Sequence, residues 1–176
     1  MCSSDLAIAQ ALVRFEKDRA SQTDALTTFT ECLEGGEAQA GRAIALENVS
    51  ANCVACHRFE GASGSEVGPV LDGVALRGDH RYLLESLVAP GAKVATGYGL
   101  VSITKKNGEA IAGTLLAEKA DAIRVRLPDG TEMAIEMADI AAQTKPISVM
   151  PPLGAILSRR QIRDVVAYLA TLKAKR

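Results

Sequence analysis

Three of the six cysteine and histidine residues of this chain lie in one pentapeptide, Cys53-Val54-Ala55-Cys56-His57; the others are Cys2, Cys32 and His80. A Cys-x-x-Cys pair serves three chemistries. Two thiols separated by two residues can add to the vinyl groups of a porphyrin, with the adjoining imidazole ligating iron from one side. A zinc site needs two further ligands to close its tetrahedron, and only Cys2, Cys32 and His80 remain to supply them. A redox dithiol calls for a βαβ setting, which does not flank residue 53. The residues therefore favour covalent haem attachment through Cys53 and Cys56, with His57 on the iron, over a zinc-stabilised module or a redox dithiol.

An electron-transfer haem of this kind takes a second axial ligand, often a methionine thioether. Met133 and Met137 share an apolar face with Ile135 and read as core. Met150 stands apart, in Ser148-Val149-Met150-Pro151-Pro152, a proline-stiffened loop that can hold sulfur at a fixed distance. His80, beside Asp79 at a predicted helix start, reads as a surface residue. Met150 is thus the expected sixth ligand.

The remaining sequence must position these groups. The chain has 176 residues, 48% hydrophobic and 23% charged, the composition of a folded domain. With 20 basic and 21 acidic residues, its net charge of −1 gives no support to general affinity for nucleic acid or anionic membrane. The longest uncharged stretch, residues 146–158, holds three prolines and is too short for a bilayer span. Residues 1–6 read as the translated end of a sequencing adapter, which predicts that the natural chain continues upstream.

Helix is predicted over residues 7–17, with Ile8, Leu12 and Phe15 on one side. A second helix, capped by Thr23 or Asp24, carries Leu26, Phe29 and Leu33 and ends at Gly35-Gly36. A third runs from Glu37 to Glu47. Glycines and Pro69 make residues 61–78 a loop. Asp79 then caps a helix over residues 81–89. Ser158 and Gln161 form a capping box for the last helix, whose stripe is Ile162, Val165, Val166, Leu169 and Leu172.

Between these helices the period changes. Residues 123–127 and 133–137 alternate strictly, and Asn107-Gly108 and Pro128-Asp129-Gly130 are turn signals. Five short strands in this stretch suggest a small, strongly bent sheet or barrel. Its six basic and seven acidic residues form no basic stripe with stacking aromatics, so a nucleic-acid role is not expected. A cover for the haem or a docking surface is the expected role.

Taken together, Gly41 in an early helix, Cys53–His57, Gly68-Pro69-Val70-Leu71, Met150-Pro151-Pro152 and a final helix with Asp164 and Tyr168 resemble class I c-type cytochromes. The chain is most similar to the haem-binding domain at the C-terminus of membrane-bound-dehydrogenase-like proteins, through residues 68–77, 82–90 and Gly97-Tyr98. The resemblance covers residues 36–172. It implies a mainly α cytochrome c fold with an inserted β-barrel or SH3-like sheet, α+β overall. Residues 36–96 and 146–176 would form the cytochrome domain, 97–145 the inserted β-unit, and 7–35 a helical tail of an upstream domain or a linker. Removing the insert shortens the 93-position gap between His57 and Met150 to a span that a compact cytochrome can close.

The resemblance further implies one covalent haem c held by Cys53 and Cys56, with His57 and Met150 as axial ligands. Pro69 would accept the other ring N–H of His57 through its carbonyl, Leu71 would pack on the haem, and Arg77 and Tyr98 would face a propionate. Gly41 would let the first cytochrome helix approach the last near Tyr168. Ala45 stands where that helix usually offers an aromatic, which predicts a looser contact. The implied function is one-electron transfer, not catalysis, in an exported or periplasmic protein. Its partners would be redox proteins, including a dehydrogenase module in the same natural chain. The alternatives are a haem sensor or peroxidase with a labile sixth ligand, or a zinc-stabilised interaction module. Cys32, alone beside Leu33, is expected to be buried and inert.

Overall fold

The computed structural model describes residues 3–21, 24–59 and 64–173, so Cys2 and Thr23 lie outside the described residues. Helix α1 (Ser3–Ala20) leaves Ile8, Leu12 and Phe15 exposed. Next, the Asp24 carboxylate accepts from the backbone N–H of Thr27 (3.1 Å) and of Leu26 (3.4 Å). These contacts, the Thr27 bonds foremost, hold its pKa below the ordinary aspartate value. The α-helix expected here is instead a 3₁₀ turn, Thr27–Cys32, broken at Phe29 (φ −121°, ψ 16°). Tertiary packing of the Phe29 ring overrides the local helical pattern.

Helix α2 (Ala38–Glu47) is capped by Glu37, whose side chain accepts from the Gln39 N–H at 3.2 Å. Helix α3 (His80–Val88) is capped by Asp79, which accepts from the Tyr82 N–H at 2.9 Å. Helix α4 (Arg159–Leu169) opens with both halves of the Ser158–Gln161 capping box. Ile162, Val165, Val166 and Leu169 bury its apolar stripe against Leu83, Leu84, Leu87 and Val88 of α3.

The α2–α4 crossing is close because Gly41 has no side chain. A Cβ at Gly41 would sit 1.9 Å from the Asp164 carbonyl oxygen and 2.9 Å from Tyr168 Cβ. Asp164, 4% exposed, fastens the same crossing by accepting the Glu37 N–H at 2.9 Å. Ala45, on α2, is 2% exposed. Phe59, equally buried, stacks on Tyr168 with centroids 6.3 Å apart and planes 24° from parallel. Gly41→Ala is therefore expected to cost about 1–3 kcal/mol by overpacking, read as a lower denaturation midpoint.

Five antiparallel strands follow: β1 (Gly99–Lys105), β2 (Ala110–Glu118), β3 (Ala122–Arg126), β4 (Glu132–Glu136) and β5 (Ile140–Gln143). Their order is β4-β3-β2-β1-β5. Alternation puts Val101, Ile103, Ile111, Ile123, Val125 and Ile135 on one face, a core separate from that of the helices. Register shifts at Leu115/Ala117 and at Thr104/Lys105 bend the sheet around this core.

The barrel expectation is corrected: β4 and β5 are the two free ends of the order, and the sheet is open. After β4 the chain turns through a 3₁₀ segment, Met137–Asp139, that carries it across to β5. That turn also corrects the assignment of Met137 to the core. Met133 packs against the sheet core, whereas Met137 is 37% exposed.

The sheet joins the helices through two crossings that pair with each other. Leu100 and Ile147 exchange both backbone hydrogen bonds at 2.9 Å. Among the described residues no helix is long and apolar enough to cross a membrane.

Candidate functional site

Asn52, in the left-handed region at φ 41°, turns the chain out of α2 into a 3₁₀ segment, Cys53–Ala55. The Cys53 carbonyl then accepts from the Cys56 N–H (3.2 Å) and the His57 N–H (2.8 Å). This compact turn carries both thiols and the imidazole, and Cys53 and Cys56 are free, half-buried thiols. Burial pushes the Cys53 thiol pKa above its ordinary value.

His57 Nδ1 lies 2.7 Å from the Pro69 carbonyl oxygen. A carbonyl only accepts, so Nδ1 carries the proton and Nε2 keeps its lone pair. Burial holds the imidazole pKa below the ordinary value; the Pro69 bond acts against this and the Arg77 charge adds to it. The ring is thus neutral and oriented near pH 7, with Nε2 able to act as an acceptor. Phe59 meets it edge-on, with centroids 6.4 Å apart and planes at 73°.

Behind the ring is Gly68, where a Cβ would fall 2.7 Å from His57 Cε1 and 2.9 Å from Nδ1. Gly68→Ala is expected to displace the imidazole from Pro69 and to cost about 1–3 kcal/mol of stability, visible in chemical denaturation.

His57 opens on a cleft whose empty space, open solvent at its mouth included, is about 1000 Å³. Cys53, Pro69, Leu71, Arg77, Tyr98 and Met150 line it too, so one cleft gathers every expected site residue except Cys56. Its walls are largely aliphatic: Ala45, Val74, Leu83, Leu87, Leu153, Val165 and Leu169.

Met150 enters from the return crossing. Its N–H donates to Ser148 Oγ at 3.1 Å, three residues beyond the Leu100–Ile147 bridge. Both ends of the β-unit thus reach the cleft, through Val94, Ala95 and Tyr98 on one side and Ser148 and Val149 on the other. Arg77 Nη2 donates to the Val70 carbonyl at 2.6 Å.

Sequence reasoning missed Phe59, Tyr82 and Lys93. The Lys93 ammonium stands 5.7 Å from the Tyr82 ring centroid, and both residues line the cleft. Phe59 follows the histidine by two residues, which was its only sequence signal.

No family model and no curated protein matches the chain. The functional reading therefore rests on the residues and their geometry.

Among the described residues, no group of three or more His, Cys, Asp or Glu side chains is gathered to hold a metal ion. His80 is tied elsewhere: its Nδ1 lies 2.9 Å from the Leu33 carbonyl oxygen and 3.1 Å from Glu34 Oε1. Cys32 is 1% exposed, with its thiol donating to the Arg159 carbonyl at 3.3 Å and its pKa pushed by burial up to about 11.

The lining of the cleft would suit a mostly apolar group that accepts an imidazole nitrogen as ligand. The walls are largely apolar, and His57 presents a lone pair. Glycine leaves room behind the imidazole, and a thioether opens on the same space.

Proposed function

We propose that this chain is a one-electron carrier of the class I cytochrome c type. Cys53 and Cys56 would hold a haem covalently, and His57 and Met150 would ligate its iron. The observation that carries the reading is that His57, oriented by Pro69, and the Met150 thioether open on one aliphatic cleft beside Cys53. When bound, haem supplies a ferric–ferrous couple that gains or loses one electron.

The chain's own residues tune that couple. The Pro69 carbonyl fixes the His57 tautomer and strengthens its basicity. The largely aliphatic walls would disfavour the more highly charged ferric form. Arg77, Lys93, Tyr82 and Tyr98 are among the polar residues of the cleft that could serve the propionates. Two protein ligands leave no iron site for substrate, which supports electron transfer over catalysis.

The helical frame fits the same proposal, with α2 and α4 crossing at Gly41 and the β-unit inserted between α3 and the Met150 loop. We extend it to an exported or periplasmic location, where this type of attachment is made, and to redox-protein partners, including a dehydrogenase module in the same natural chain. The test is a pyridine haemochrome spectrum of denatured protein from a host competent in haem maturation. A thioether-linked haem spectrum at one haem per chain is expected; colourless protein overturns the reading.

A further inference from the structure

The loop that carries Met150 continues through Pro151 and Pro152 into a 3₁₀ turn, Leu153–Ala155, and then into α4. This loop is gripped from outside by residues 24–36. The Phe29 ring points at Gly154: a Cβ there would lie 2.6 Å from Phe29 Cζ and 3.0 Å from Cε2. Arg159, in the first turn of α4, lays its guanidinium over the same ring, 4.3 Å from the centroid. It also pairs with Glu31 at 2.5 Å and donates to the Thr28 carbonyl.

Two further bonds extend the grip. The Cys32 thiol donates to the Arg159 carbonyl at 3.3 Å, and the Leu33 carbonyl meets His80 at 2.9 Å. Leu26 and Cys32 are buried in the same apolar cluster as Leu153, Ile162 and Val165.

We infer that residues 24–36 are a strap that positions the sixth-ligand loop, with Phe29 and Arg159 as its positioning residues. The physical reason lies in the loop's composition. Pro151 and Pro152 have no N–H to donate, and the first backbone bonds after them are Ala155 to Pro152 (3.3 Å), Ile156 to Leu153 (3.0 Å) and Leu157 to Leu153 (2.8 Å). Beyond the Met150 N–H bond to Ser148 Oγ and the bonds accepted by the Pro152 and Leu153 carbonyls, the segment from Met150 to Gly154 is placed by packing. On the cleft side that packing comes from Leu153, and on the outer side from Phe29. Loss of the ring would let Gly154 and its neighbours move outward, carrying the thioether with them. Coupling to Met150 rests on the proposed His/Met ligation, whereas the strap's hold on the loop does not.

The test uses the full chain as purified from the maturation-competent host, with Phe29→Ala, Phe29→Leu, Gly154→Ala and Phe29→Ala/Gly154→Ala. A lesion in the separate core of the sheet, Ile123→Val, serves as a control away from the strap. Hydrogen exchange at the Ile156 and Leu157 amides is expected to rise at least tenfold in Phe29→Ala. It should return toward the parent rate in Phe29→Leu and stay unchanged in Ile123→Val. Gly154→Ala should speed the same amides in the parent and add nothing once the ring is gone. Equal exchange in the parent and Phe29→Ala overturns the strap.

The second readout is imidazole binding to the ferric protein, expected to tighten about tenfold in Phe29→Ala and to stay at the parent value in Ile123→Val. Unchanged imidazole affinity with faster exchange removes the link to Met150 and keeps the strap. Absence of haem, or imidazole binding indifferent to Met150→Ala, instead removes the functional reading, and the exchange rates still decide the strap.

Discussion

Protein carrying Cys53→Ser together with Cys56→Ser is expected to yield all of its haem to acidified organic solvent, whereas the parent chain yields none. Serine matches cysteine in size, but its hydroxyl does not add to a vinyl group under the conditions in which a thiolate does. The substitution therefore removes the attachment and leaves the 3₁₀ turn, whose bonds are backbone bonds to the Cys53 carbonyl. Each single variant should keep haem through one thioether, with the haemochrome band displaced to longer wavelength by the one vinyl left conjugated.

Cys32→Ser provides the contrast. Its thiol is buried outside the cleft with a pKa raised to about 11, so haem content should not change. Complete extraction of haem from the parent chain would sink covalent attachment. Stoichiometric zinc in colourless protein would move the reading to the zinc-stabilised module.

The sequence exposes most clearly what is decided within a few residues. The capping box at Ser158 and Gln161, the Asp79 cap and the strict alternation of β3 are local contests between side chains and backbone, and each appears in the structure where the pattern put it. The helical stripe through Leu26, Phe29 and Leu33 is also local, yet it failed. Phe29 is claimed by Gly154 and Arg159, more than 120 positions away, and the helix breaks there.

Closure of the sheet is similarly non-local. Alternation tells which face of β4 is apolar, but whether β4 meets β5 depends on bulges at Leu115/Ala117 and Thr104/Lys105 that no two-residue period encodes. Met137 was misplaced because its alternation continues one residue past the end of the strand.

Within the candidate site, the Cys-x-x-Cys-His pentapeptide and Met150 carried sequence signals of their own: spacing in one case and flanking prolines in the other. Phe59 carried none beyond its nearness to the histidine, since a single aromatic has no period. Its role exists only where Tyr168 and His57 converge on it.

Met150→Ala is expected to lower the reduction potential and open the iron to added ligands. The thioether is a soft donor that favours ferrous iron, and a methyl group in its place would leave water or an added anion as the alternative ligand. A fall of about 100–200 mV is expected, a fraction of the roughly 0.8 V over which axial ligands set haem potentials. Cyanide should then bind the ferric variant, and carbon monoxide the ferrous variant, on mixing.

The fold should survive, because Met150 is only partly buried and the backbone N–H that it donates to Ser148 Oγ is retained by alanine. His80 offers no ready replacement, being absent from the cleft lining and held by Leu33 and Glu34. An unchanged potential and spectrum would mean that another group occupies the sixth position. A parent protein that already binds carbon monoxide on mixing would instead mean that the thioether is labile, and the sensor or peroxidase reading would replace the electron carrier. A potential that falls only in the variant, with ligand binding gained at the same step, ties the electron-transfer role to the one sulfur that the proline-stiffened loop presents to the cleft.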